Sequence, residues 1–215
     1  MIKRGKIFRL PNADRENRLR LKEYKLIAGI DEAGRGSLAG PVVAGAVILP
    51  AYNLPWLQHV RDSKEISPRK REFLFAIIAK EVLGVGVGVV SPRIIDSINI
   101  LQATYLAMDR AIRNLPILPD YLLIDGFNLP HCRFFQEGII KGDKLSLSIA
   151  CASIVAKVSR DHIMDRLDKV YPGYGFAKHK GYGTKEHIFN LQKLGPSMIH
   201  RRSFAPVRHF DDSSV

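Results

Sequence analysis

Two apolar runs near the start of the chain, KLIAGIDEAG (25–34) and PVVAGAVILP (41–50), set the tightest limit on its fold. Each reads as a buried strand. The first ends in a Gly-rich turn, the second lies between prolines, and six residues part them. That separation predicts an antiparallel hairpin with a functional loop between its arms. GVGVGVV (84–90) reads as a third strand, where alternating Gly lets a neighbour pack closely. YLLID (121–125) and RFFQEGII (133–140) read as two more. Ser67-Pro68 and Ser91-Pro92 place a cap residue before Pro at the first helical position. They predict helices running to Leu83 and to about Asn114. SLSIACASIVAKVSRDHIMDRL (146–167) is a long helix with Leu147, Ala150, Cys151, Ile154, Val155 and Val158 on one face. Its Ala, Ser and Cys content predicts tight packing on a sheet. TKEHIFNLQKL (184–194) is a shorter helix capped by Thr184. No repeat or low-complexity segment interrupts this order, which implies an α/β or α+β layer fold around a mixed sheet.

Charge narrows the partners. The 215 residues carry a net charge of +12. Residues 1–25 hold nine Lys/Arg against three acids, and residues 176–209 hold seven against Glu186 alone. The stretch between them is nearly neutral, with 17 against 15. Basic ends of this kind favour a polyanion, nucleic acid above all, over a uniform solubilising charge. The longest apolar runs, such as Val42–Leu49, fall short of the roughly 18 residues of a membrane span. The opening MIKRGKIFRL leads into polar residues, so no secretory leader is expected. Cys132 and Cys151 fit neither a disulfide framework nor a metal knuckle, and the expected compartment is the reducing cytoplasm.

Four acids stand where apolar segments end: Asp31, Glu32, Asp125 and Asp143. Any one alone is accounted for by turn chemistry, as with Asp125 before Gly126. Together they suit hard divalent cations, which take several carboxylate oxygens from separate elements. An acid cluster in a protein of net +12 is costly unless cations fill it. The combination suits metal-assisted phosphodiester hydrolysis. Asp31 and Glu32 are consecutive and face opposite sides of an ideal strand, so a shared site predicts a bend there, which Gly34 and Gly36 permit.

The motifs IAGIDEAGRGSLAGPVVAGAVIL (27–49), DSK (62–64), NILQAT (99–104), LLIDG (122–126), KGD (141–143), SIACASIVAKVSRD (148–161) and KHKGYGTKEH (178–187) resemble bacterial ribonuclease HII, in that family's order. The resemblance spans about residues 25–210. It implies a ribonuclease H-like mixed sheet flanked by helices, with a small carboxy-terminal helical subdomain. It implies cleavage of the RNA strand of RNA–DNA hybrids and incision of DNA duplexes 5′ to an embedded ribonucleotide. Mg²⁺ or Mn²⁺ is the implied cofactor. By motif, the metal ligands are Asp31, Glu32, Asp125 and Asp143. Gly34, Arg35 and Gly36 match the turn that reads the 2′-hydroxyl at an RNA–DNA junction. Tyr182 matches the tyrosine that stacks on the deoxyribose side, and Lys64 matches a lysine near the scissile phosphate. Lys178 and Lys180 flank Tyr182 and are read with it as substrate contacts. The related ribonuclease HIII family has GKG in place of GRG and an added amino-terminal domain, so Arg35 sides with HII. Ser37 stands where many members have Pro, a change expected to alter loop stiffness only.

Taken without the resemblance, Arg35 suits a phosphate contact or a surface ion pair as well as hydroxyl reading, and Tyr182 suits a half-buried core aromatic. Asp161 reads as structural, pairing with a nearby cation. Two other classes compete. One is a metal-free nuclease with two histidines as acid and base; the other is a non-catalytic RNA-binding module. The expected organisation is a basic extension (1–24), a catalytic domain (25–172) and a helical substrate-binding subdomain with tail (173–215). A monomer acting on nucleic acid, without a membrane, is expected.

Overall fold

The computed structural model describes residues 10–50 and 52–210; the outer ends of the expected extension and tail, 1–9 and 211–215, lie outside them. The two apolar runs form β1 (Ile27–Ala33) and β2 (Val42–Ile48), paired antiparallel from Ala28↔Ile48 to Ala33↔Val43. β3 (Gly84–Val90) pairs antiparallel with β2. β4 (Tyr121–Asp125) and β5 (Phe135–Ile139) add in parallel on the other side, giving the order β3-β2-β1-β4-β5. The mixed sheet flanked by helices is the expected ribonuclease H-like α/β architecture.

Glycine sets how closely the helices approach. A Cβ on Gly86 or Gly88 would stand 2.0 Å from the carbonyl oxygen of Ala111 or Ala107. Both oxygens belong to the helix α3 (Pro92–Arg113), which covers one face. On the other face a Cβ on Gly29 would stand 2.0 Å from the Ser148 backbone of helix α4 (Leu147–Val170). The predicted α4 face is buried throughout, together with Leu74 and Ile78 of α2 (Pro68–Glu81). As expected, Ser67 caps α2 by accepting from the Lys70 amide at 3.3 Å.

α3 is not the uninterrupted helix the sequence predicts. Asn99 sits at φ +66° and breaks it. Its side-chain oxygen accepts from the Leu101 and Gln102 amides at 3.0 and 3.1 Å, an N-cap for the second half.

Two further elements dock on this frame. α1 (Asp14–Arg20) inserts Glu16, 0% exposed, beneath the start of α4. One carboxylate oxygen there accepts from Ser146 Oγ (2.6 Å), Ser148 Oγ (2.7 Å) and Ser148 N (3.0 Å). At the far end, α5 (Phe176–His179) and α6 (Lys185–Leu194) pack against the β1–β2 loop through Leu38, Ala39, Phe176 and Leu191. Thr184 caps α6 as predicted, accepting from the His187 amide at 3.2 Å. Among the described residues no helix is long and apolar enough to cross a membrane.

Candidate active site

The parallel register Ile30↔Ile124 makes Asp31 and Asp125 the next residues on adjacent strands, on the face that α4 covers. Asp143 lies in the 3₁₀ turn Gly142–Lys144, which the chain enters through Lys141 in the left-handed region at φ +58°. Asp125 holds that turn: its carboxylate accepts from the Gly142 amide at 2.6 Å. The expected bend between Asp31 and Glu32 is absent, because β1 stays paired with β2 through both residues to Ala33. Pairing with β4 ends at Ile30, which leaves that side of β1 open beyond it. Glu32 is still within electrostatic reach of Asp31, Asp125 and Lys64.

The four carboxyls resist ionisation together. Burial raises Asp31 well above the usual carboxylate range, with repulsion from Glu32, Asp125 and Asp143 adding to it. Burial also raises Glu32, against the pull of Arg35 at 3.6 Å. Asp125 is raised by burial, although amides from Gly142 and Asp143 oppose the shift. Asp143 is pushed up to about 6 by burial and then by Asp62 and Asp125. Hard oxygen donors that repel one another fit divalent cations, which would reverse both causes. As they stand, no three His, Cys, Asp or Glu side chains among the described residues are drawn close enough to hold a metal ion.

Asp62 is a fifth acid that the sequence reading passed over, although it stands in the DSK motif beside Lys64. It is buried, accepts from the Lys64 amide at 2.9 Å and lies 3.5 Å from the Lys144 ammonium. Ser63 ties the motif to α4 through Ser153, hydroxyl to hydroxyl at 2.8 Å. Burial alone would lower the Lys64 ammonium, but Asp62, Asp31 and Asp143 outweigh it and raise it. Lys64 therefore belongs to the carboxylate group.

The Gly34-Arg35-Gly36 turn is fixed from behind by two arginines that are 0% exposed, Arg160 and Arg201. Arg201 donates to the carbonyls of Gly34 (2.7 Å), Arg35 (2.8 Å) and Gly40 (2.9 Å). Arg160 donates to Pro41 O (2.9 Å), Lys180 O (2.9 Å), Ala39 O (3.2 Å) and Ser37 Oγ (2.9 Å). Burial lowers both guanidiniums, Arg201 to about 9. Neither arginine was singled out in the sequence; a long basic side chain at a helical or loop position signals exposure unless its carbonyl partners are known. Ser37 does more than set loop stiffness, since its hydroxyl is one of those partners and Pro has none. Gly34 is required from the inside: φ is +95° and a Cβ would meet Arg160 Nε at 2.0 Å. A Cβ on Gly36 would meet nothing within 4 Å.

Tyr182 joins this turn directly, through an antiparallel bridge to Ser37 and a 2.8 Å bond from the Leu38 amide to Gly181 O. Its side chain is 37% exposed, with Arg160 at 5.4 Å and Lys157 at 5.8 Å from the ring centre. Lys157 also pairs with Asp161 at 2.8 Å, the structural role read for that acid. Lys178 stays at the surface, 2.5 Å from Glu186. Lys180 is mostly covered and pairs with Asp165, so its charge is engaged within the protein.

The family model described as ribonuclease HII matches residues 28–207. A curated ribonuclease HII from Desulfitobacterium hafniense (strain Y51) is 59% identical over 194 residues, 90% of this chain and 74% of that protein. One from Dehalococcoides mccartyi (strain BAV1) is 53% identical, covering 94% of this chain and 96% of that protein. Among solved structures, the ribonuclease H2 of Pyrococcus horikoshii OT3 superposes with a TM-score of 0.72 at 26% identity, over 87% of this chain and 97% of that one.

Proposed function

This chain belongs to the ribonuclease HII family, and is therefore a nuclease acting on RNA–DNA hybrids; on that premise we propose that it also incises DNA duplexes on the 5′ side of a single embedded ribonucleotide. The observation that carries the proposal is the bridge between Ser37 and Tyr182. It sets a Gly-rich turn and a half-exposed ring side by side, at the end of the strand that bears Asp31 and Glu32. The 2′-hydroxyl distinguishes RNA from DNA at one position, and a turn with its carbonyls held inward by Arg201 is free to offer amides outward to it. The Tyr182 ring packs on the next sugar, where a hydroxyl would crowd it. Arg35 and Lys64 contact the backbone. Of Lys178 and Lys180, each paired with an acid, Lys178 is the more exposed and is the proposed phosphate contact.

Asp31, Glu32, Asp125 and Asp143 are the proposed metal ligands. Divalent cations bound there, Mg²⁺ or Mn²⁺, supply the charge that activates water and stabilises the leaving oxygen. The products are a 3′-hydroxyl and a 5′-phosphate, and the ribose hydroxyl is recognised without attacking. The two-histidine alternative finds no support at the acids: His179, His187 and His200 are buried and bonded to the backbone and to one another. The test is a DNA duplex with one ribonucleotide, incubated with and without chelator, followed by end-group analysis. Chelator-sensitive cleavage leaving a 3′-hydroxyl is expected. A 2′,3′-cyclic phosphate, or full activity in chelator, overturns the mechanism.

A further inference from the structure

Behind Tyr182 three imidazoles are packed together. His179 and His187 stack with centroids 4.3 Å apart and planes 15° apart, and His187 Nε2 lies 3.1 Å from His200 Nε2. The protons in this cluster are fixed by their partners. The Tyr182 carbonyl can only accept, so His187 Nδ1, 2.9 Å away, carries a hydrogen. A neutral His187 then accepts at Nε2, and His200 Nε2 must donate to it. That leaves His200 Nδ1 bare, and it accepts from the Ser197 amide at 2.9 Å and the Ser197 hydroxyl at 2.8 Å. Every bond points the same way, from Ser197 to Tyr182.

We propose that His187 and His200 are positioning residues: they form a one-way hydrogen-bond relay that anchors the backbone of Tyr182 and so aims its ring at the ribonucleotide junction. The inference rests on the junction-reading role of Tyr182 given above. The surroundings fit the relay. Burial first, then the neighbouring imidazoles, lowers His187 to about 4 and His200 to about 3, so both stay neutral at working pH. A second proton would set two N–H groups against each other across 3.1 Å. The rest of the segment is held as firmly. The Gly181 amide donates to His179 Nδ1 at 3.2 Å, and the Tyr182 amide donates to His179 O at 3.0 Å. Anchored on both sides, the backbone leaves the ring little freedom except rotation about its own bonds.

The test is a double-mutant cycle with two readouts: kcat/KM on a duplex with one ribonucleotide, and the dissociation constant for the all-DNA duplex of the same sequence. His187→Leu removes two buried hydrogen bonds, to the Tyr182 carbonyl and from His200, and is expected to lower kcat/KM about tenfold through the loosened Tyr182 backbone. Binding to all-DNA duplex should stay nearly unchanged. In a Tyr182→Ala background the same change should add almost nothing, because the ring it aims is gone. His187→Asn places an amide N–H near the former Nδ1–H and should restore most of the loss. An equal loss in both backgrounds makes His187 a general structural residue and overturns the relay while leaving Tyr182 its role. A Tyr182→Ala enzyme that keeps its junction preference overturns both. If His187→Leu does not fold, His200→Asn makes the same comparison, keeping an acceptor near Ser197 and losing the reach to His187.

Discussion

Removing the charge of Asp143 should stabilise the metal-free protein while destroying its activity. The Asp143 carboxyl has its pKa moved from 3.8 to about 6, by burial first and then by Asp62 and Asp125. The folded state thus binds its proton more tightly than the unfolded chain does. Stability is therefore lost as pH rises from about 4 through 6, and the full cost is present at pH 7.5. Each pKa unit is about 1.4 kcal/mol, so the cost is about 3 kcal/mol. In the Asp143→Asn variant no charge would repel the neighbours, but the new amide is still desolvated, so about half of that, 1–2 kcal/mol, should be recovered. For a chain of this size the gain is about 2–8 °C in melting temperature. The assay is thermal melting of wild type and Asp143→Asn in chelator at pH 7.5 and again near pH 4. Near pH 4 the carboxyl is neutral in the folded state and a little over half ionised in the unfolded chain, so most of the difference should be gone. Adding Mg²⁺ at pH 7.5 should raise wild type more than the variant and reverse their order. A variant that melts below wild type in chelator at pH 7.5 refutes the reasoning, since the charge would then be holding the fold together.

The other acids should separate activity from folding in the same way: Asp31→Asn and Asp125→Asn should each lose about 100-fold or more in turnover with an unchanged circular dichroism spectrum. Glu16→Ala removes the acceptor of three buried hydrogen bonds and should cost about 3 kcal/mol. That corresponds to a fall of about 6–12 °C in melting temperature, and Glu16→Gln should recover much of it. Lys178→Gln should flatten the salt dependence of DNA binding by up to about 0.9 in log–log slope. Lys180→Gln should change the slope less, because both ammoniums have an acid partner but the Lys180 side chain is 19% exposed and that of Lys178 is 74% exposed.

What the sequence disclosed depended on how far apart the interacting residues lie. The β1–β2 hairpin, the capped helix α2 and the buried face of α4 are written in local periodicity and cap residues, and they form as read. Asp31 and Asp125 announce themselves because each follows an apolar run of sequence. Asn99 in INILQ looks like one more helical residue, and only its left-handed backbone shows the break. Glu16 sits in the segment read as a basic extension; its serine partners are 130 and 132 residues away. Arg160 and Arg201 are hidden for the same reason. Glu32 shares the acid group without the bend that strand alternation predicts, because β4 stops short and leaves its side of β1 open.

The two buried arginines also bear on when the enzyme becomes able to act. Chains leave the ribosome amino terminus first. All four proposed ligands have emerged by residue 143, yet the turn that would read the ribose is still unlined. Its first donor, Arg160, arrives 119 residues after Pro41, and its second, Arg201, arrives 167 residues after Gly34. Closing loops of that length is slow and comes late in folding. A half-made or carboxy-terminally clipped chain would thus carry the four proposed ligands without the full lining of the proposed reading turn.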